Sequence, residues 1–345
     1  MIRPRFPRPL AARLLVVLAL VTCALASAGC SRLVKSKVAV PQLLSPLQDA
    51  DTARLIEEAN RAAQVRSLRG KVDLKFLDNS FAQCGIAEEY TAADADITTQ
   101  RPGQIYLTIQ DPFIGSKIAE MSSNGEKFWV AVLKGDADIR RFVTGTNAAQ
   151  YERLGGGGEV QCGKNTDKTA MRKRAVSAFS GLRPQHFTDA LLPRPAGEAG
   201  LVYARNEAFA EEPDTRRGAK NNARVVRGYY QLEELRPEAE GRAQLLRRFW
   251  FDRFGGLRLA RVQTFDERGT LTTDVVYRDP RPFGEGRQHS LPAEIEITRP
   301  QDRYSIRINY QTPEAVRLDQ QFPSEVFVLP NKDNLPVFDL DTRKP

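Results

Sequence analysis

Few residues in this chain have the chemistry for catalysis. Its 345 residues include two histidines, His186 and His289, and four cysteines, Cys23, Cys30, Cys84 and Cys162. Two histidines are too few for a His-rich metal centre, and no Cys-x-x-Cys or Cys/His spacing suited to zinc occurs. A Ser/His/Asp site would need His186 or His289 beside a nucleophile, and there is no Gly-x-Ser-x-Gly elbow. His186 lies in a Pro-bounded helical stretch, where capping or packing is the simpler role. The run Gly155-Gly156-Gly157-Gly158 lacks the Lys-Ser/Thr that completes a phosphate loop and reads as a flexible turn. The acid pairs Glu88-Glu89, Glu211-Glu212 and Glu233-Glu234 sit in polar, turn-like surroundings and read as solvated. These residues predict no catalytic group, no metal and no cofactor, so the chain reads as a non-enzyme.

Binding chemistry begins at the N-terminus. Residues 1–13 carry four arginines and no acid, residues 14–26 are almost wholly apolar, and Ser27-Ala28-Gly29-Cys30 follows. A basic start, a short apolar run and small residues make a secretory signal peptide. The run is shorter than the roughly 20 residues a spanning helix needs. Removing it takes the four arginines and halves the formal net charge of +8, leaving mixed charges and little support for nucleic-acid binding. The one basic-aromatic cluster, Arg247-Arg248 beside Phe249-Trp250-Phe251, reads as a strand with one solvated face.

Ser27-Ala28-Gly29-Cys30 resembles the lipobox of bacterial lipoproteins, with Ser27 where Leu is usual. The resemblance implies cleavage before Cys30 and acylation of that cysteine, palmitate included, giving a stable membrane anchor. Ser31 after Cys30, rather than Asp, resembles the signal for export to the outer membrane. Cys84 and Cys162, both in Gly-containing polar stretches, then either form a disulfide in an oxidising periplasm or remain thiols.

The remaining sequence must build what the anchor carries. Residues 31–50 are polar and Pro-punctuated and read as a tether. A helix is predicted from Asp51-Thr52 to about Arg66, with Leu55, Ile56, Ala59, Ala62 and Ala63 on one face. From Ser67 the period changes to two: Leu68, Gly70, Val72, Leu74 and Phe76 alternate with charged residues. Strands are predicted over 87–98, 103–110, 117–123, 126–133 and 138–144, with Asn124-Gly125 as a strong hairpin signal. A second helical region over 167–192 precedes strands over 201–208, 224–235, 243–251, 257–265, 271–277, 293–299 and 303–311. Many short antiparallel strands with two helical inserts indicate a single curved sheet or barrel, mainly β within the α+β class.

The succession of features from Asp51 to Pro330 resembles the LolA/LolB-like outer-membrane lipoprotein carrier superfamily. It is carried by Leu68-Arg69-Gly70-Lys71-Val72-Asp73-Leu74, Arg101-Pro102-Gly103-Gln104-Ile105-Tyr106-Leu107 and Asp111-Pro112-Phe113-Ile114-Gly115. Phe249-Trp250-Phe251-Asp252, Leu291-Pro292-Ala293-Glu294-Ile295 and the closing segment from Phe322 to Pro330 add to it. The segment between Tyr151 and Lys168 has no counterpart. The resemblance implies an incomplete, strongly curved antiparallel β-barrel, a half-barrel whose concave face is covered by helices and whose cavity holds acyl chains. The domain would span 51–330, with a signal peptide at 1–29, an anchored tether at 30–50 and a C-terminal tail at 331–345.

Inward-facing candidates for that cavity are Leu74, Phe76, Ile105, Leu107, Ile109, Val130, Val132, Phe249, Phe251, Ile295, Ile297, Ile306 and Ile308. Each serves equally well as dry core. Phe113 and Ile114, on a Pro/Gly corner, either dip into a membrane or bury against a neighbouring strand, and burial is the favoured expectation. The expected function is an outer-membrane lipoprotein facing the periplasm that binds acyl chains or lipoproteins in lipid or lipoprotein trafficking. Its partners would be the membrane, through Cys30, and a periplasmic carrier or envelope-assembly protein. The alternative is a structural lipoprotein that uses the same fold as a protein-docking scaffold without lipid cargo.

Overall fold

The computed structural model of the chain describes residues 40–79, 88–137, 139–149, 183–216, 218–286 and 289–343, apart from the side chains of 78, 88–92 and 343. The stretch read as a signal peptide, Cys30, Cys84, Cys162, the four-glycine run and the first part of the region read as a second helix lie outside these residues. In chain order the first elements are β1 (Gln42–Leu43), α1 (Thr52–Ala62), β2 (Ser67–Asp78), β3 (Glu88–Gln100), β4 (Gln104–Gln110), β5 (Lys117–Asn124), β6 (Lys127–Val132) and β7 (Arg141–Thr146). After α2 (Pro184–Leu191) come β8 (Val202–Pro213), β9 (Arg224–Pro237), β10 (Ala243–Asp252), β11 (Arg258–Phe265) and β12 (Leu271–Phe283). The last are β13 (His289–Arg299), β14 (Tyr304–Tyr310), β15 (Arg317–Leu318) and β16 (Val337–Asp339).

All sixteen strands of the described residues join one open sheet. Its order runs β1, β9, β10, β11, β12, β13, β14, β2, β3, β4, β5, β6, β7, β16, with β8 against β9 and β15 against β2. From β2 to β7 and from β8 to β14 each strand pairs antiparallel with the next, as short connections require, and β14 returns to pair with β2. The two very short strands β1 and β16 pair in parallel, with β9 and β7. Mainly β architecture with an open sheet is thus what the period of two led one to expect.

Local chemistry fixes the elements. Asp51 caps α1, its Oδ1 accepting from the Arg54 backbone N–H at 2.8 Å, and Leu55 and Ala59 form the buried face. Between β5 and β6 the Asn124 carboxamide oxygen accepts from the amides of Glu126 and Lys127. Gly125 has a φ of +99°, and a Cβ there would lie 2.9 Å from the Pro102 carbonyl oxygen, so only glycine fits that turn. β12 runs on to Phe283, six residues past its expected end, through Pro280 and Pro282. Its pairing with β11 stops at Val276, so these prolines withhold amide hydrogens from no partner on that side.

Two expectations about the ends of the domain are corrected. The stretch read as tether joins the sheet from Gln42: Gln42 and Leu43 pair with Val225 and Val226, and Leu44 and Ala50 are buried. The Arg253 guanidinium donates to the Gln48 carbonyl at 3.0 Å and the Asp49 carboxylate at 2.7 Å. The segment read as a C-terminal tail crosses the outer face of β4–β7, where it buries Leu335, pairs with β7 as β16, and buries Leu340 against the other face. Burial of a few apolar side chains ties down both segments, and neither has the length to show a period.

Candidate functional site

Register places the apolar residues of one sheet face in rows that cross many strands. One row runs Tyr310, Val72, Ala95, Ile109, Ala119, Val132, and the next Gly70, Ile97, Leu107, Met121, Val130, Val143. On the other side of β2 the rows are Val275, Ile297, Ile306, Phe76 and Tyr277, Ile295, Ile308, Leu74. Eleven of the thirteen candidate residues therefore belong to one buried cluster. Phe249 and Phe251 do not join it. They pack with Tyr230, Leu232 and the α1 residues Leu55 and Ala59 in a second cluster. Tyr277 touches both. All thirteen side chains are buried.

The helix α2 lies on the first cluster. Its Phe187, Ala190 and Leu191 are buried there, and it meets β3, β4, β5 and β13. Two side-chain contacts fix it: the Tyr277 hydroxyl donates to the Ala190 carbonyl at 3.0 Å, and His186 Nδ1 lies 2.9 Å from the Tyr304 hydroxyl. Burial, then the charges of Arg299 and Arg183, holds the His186 pKa well below its ordinary value. Burial likewise raises the Tyr277, Tyr304 and Tyr310 hydroxyls, which stay protonated.

The segment after α2 is held by buried charge. Arg101 donates to the Pro193 carbonyl at 2.7 Å. Arg247 donates to the carbonyls of Arg194 at 3.0 Å and Pro195 at 2.8 Å. The same guanidinium makes two 2.6 Å bonds to Glu234, whose other partner is the Tyr203 hydroxyl at 2.8 Å. Glu234 is only 2% exposed, so it is not solvated as its sequence context suggests. Glu233 and Arg248 pair on the opposite face. Asp189, by contrast, is more than half exposed and lies 3.8 Å from Arg194.

Two features lie outside this face. Phe113 and Ile114 are 93% and 72% exposed, contrary to the expected burial. Their turn is rigid: Asp111 Oδ1 accepts from the Phe113 amide at 3.0 Å, its backbone oxygen from Gly115 at 2.8 Å, and its second carboxylate oxygen pairs with Lys134 at 2.7 Å. These bonds hold the Asp111 carboxyl below its usual range. The second feature is a cleft of about 780 Å³ on the outer face, roofed by the C-terminal segment and lined by Arg69, Tyr106, Lys117, Glu120, Arg140 and Lys332 among others. Burial and the Glu120 contact at 2.7 Å push Tyr106 up to about 12. Sequence reasoning missed this cleft because its lining comes from five strands and a segment that carries no period.

No family model matches the chain, and no curated protein does. Its fold is similar to solved structures. A LolA superfamily protein from Nitrosomonas europaea matches at 11% identity and TM-score 0.39, covering 83% of this chain and all of that one. A DUF1329 family protein from Desulfovibrio piger matches at 10% identity and TM-score 0.39, covering 80% and 95%. A proposed outer membrane lipoprotein-sorting protein domain from Vibrio parahaemolyticus matches at 10% identity and TM-score 0.36, covering 82% and 98%. Among the described residues no helix is long and apolar enough to cross a membrane.

Proposed function

We propose that this chain is a lipoprotein anchored through Cys30 at the outer membrane, facing the periplasm, that holds acyl chains or the acylated ends of lipoproteins against its apolar sheet face. The observation that carries the reading is the extent of that face relative to the helix on it. The rows span nine neighbouring strands, β12 to β7, about 38 Å at 4.8 Å per strand. The eight residues of α2 are about 12 Å long. For so short a helix to meet β13 and β5 together, the sheet bends towards it, which supports a half-barrel with α2 on its concave side. A hydrocarbon tail sliding between α2 and the aliphatic rows would gain about 0.8 kcal/mol per buried methylene. Phe113 and Ile114, held out on a rigid turn, suit contact with a membrane from which cargo arrives or to which it goes.

Burial of all thirteen side chains in the free chain favours the second reading, a docking scaffold with a filled interior. Lipid extraction separates the two. The chain beginning at Ser31, purified without added lipid, is expected to yield about one equivalent of acyl lipid by mass spectrometry. A lipid-free preparation that takes up no fluorescent fatty acid overturns carrying and leaves the scaffold. The anchor has its own test, incorporation of labelled palmitate, which Cys30→Ser is expected to abolish.

A further inference from the structure

We propose that β8 is the seat of a two-fold, edge-to-edge pairing with a second copy of this chain. β8 stands at one end of the sheet, and among the described residues β9 is its only strand partner. Its ladder with β9 runs through twelve consecutive pairs without a register shift, whereas the ladders β2–β3, β4–β5, β9–β10, β10–β11 and β11–β12 all carry one. Protein sheets usually blunt such an edge with a bulge, a very short strand or a covering segment. The opposite end of this sheet does so with the three-residue β16. β8 instead leaves Phe209 55% and Val202 51% exposed on a strand of twelve residues with no register shift.

The sequence of β8 is complementary to itself. Antiparallel pairing that sets Asn206 opposite its own counterpart places Arg205 opposite Glu207 of the second copy and Tyr203 opposite its Phe209, each twice by symmetry, with Ala204 opposite Ala208. Opposite charges and aromatic pairs facing each other across strands are stabilising, and like charges are not. Moving the two-fold axis to Glu207 or to Arg205 sets a like pair at the centre; moving it to Ala208 leaves Glu207 facing Phe209. Tyr203, Arg205, Glu207 and Phe209 share the face of Leu232 and Tyr230, so pairing would extend the inner faces of two sheets into one surface. Glu207 already accepts from Arg253 at 3.0 Å and keeps half its side-chain surface free for a second guanidinium. An isologous contact of this kind closes at two copies.

The test uses the full lipidated chain in its membrane and in detergent. Asn206→Cys puts two thiols opposite each other, at about 4.5–5.5 Å between Cβ atoms, within easy approach of disulfide geometry. Ala204→Cys puts them four residues apart, about 13 Å. Oxidised Asn206→Cys is expected to run as a dimer on a non-reducing gel, and Ala204→Cys as a monomer. In sedimentation, Ala204→Lys/Ala208→Lys should weaken the dimer by at least about tenfold, a like-charge penalty of the size cross-strand pairs show. Ala204→Lys/Ala208→Glu, with the same bulk, should restore it. The proposal is overturned if the unaltered chain sediments as a single copy, if both cysteine variants cross-link alike or neither does, if Asn206→Cys bridges to a different protein, or if the two charge variants behave the same.

Discussion

At Glu234 and Arg247 two charges lie almost out of water, 2% and 6% exposed, with every visible hydrogen-bonding group occupied. Removing one partner from such a pair leaves the other charge buried without compensation, which costs about 3–5 kcal/mol. Replacing both with apolar residues of similar volume removes that penalty. We therefore expect Glu234→Leu to lower unfolding stability by several kcal/mol and Glu234→Leu/Arg247→Met by clearly less, measured by urea denaturation. A double variant as unstable as the sum of the single ones would show that the pair contributes little beyond packing. The sequence displays the four charges but hides this pairing. Glu233-Glu234 and Arg247-Arg248 each put one charge on either face of a strand, and only the register between β9 and β10 decides which pair meets inside. For the same reason Leu74, Ile306 and their neighbours were legible as one buried face from alternation, while the separate cluster of Phe249 and Phe251 was not. Which rows meet depends on strand order, which no single strand encodes.

Elements long enough to show a period were legible and elements of two or three residues were not. β2, β14 and the hairpin at Asn124-Gly125 stand close to their predicted bounds. β1 and β16 were absent from the prediction because two or three residues of strand carry no alternation, and their position depends on burying Leu44, Leu335 and Leu340. The C-terminal segment makes the consequence testable. Besides its buried leucines, its Pro336 carbonyl accepts from the Phe142 amide and its Leu340 amide donates to the Thr144 carbonyl, both at 2.9 Å. Ending the chain at Pro330 removes two buried leucines worth roughly 1.5–3 kcal/mol each and uncovers the edge of β7. Denaturant midpoints should fall by the equivalent of about 3–6 kcal/mol. A truncated chain as stable as the full one would return this segment to the status of a tail.

At the scale of the whole molecule, charge and apolar surface make different predictions about how the chain beginning at Ser31 meets a membrane. With the N-terminal arginines gone, the remaining charge is small and mixed, so attraction to anionic lipid is weak. What stands out from the surface is the pair Phe113 and Ile114 on its Asp111–Gly115 turn, exposed in water and tied down by backbone and ion-pair bonds that neither side chain makes. A rigid turn loses little conformational freedom on inserting, so most of the transfer energy of two apolar side chains, about 1.5–3 kcal/mol each, is available for binding. The chain beginning at Ser31 should therefore partition onto neutral phosphatidylcholine vesicles, and Phe113→Ser/Ile114→Ser should reduce that partition at least about 100-fold. The unfolding midpoint should not change, because the exposed side chains support no packing. Added salt separates the two forces: insertion through Phe113 and Ile114 persists at high ionic strength, whereas adsorption that vanishes with salt and ignores the double substitution would assign membrane contact to the basic residues instead.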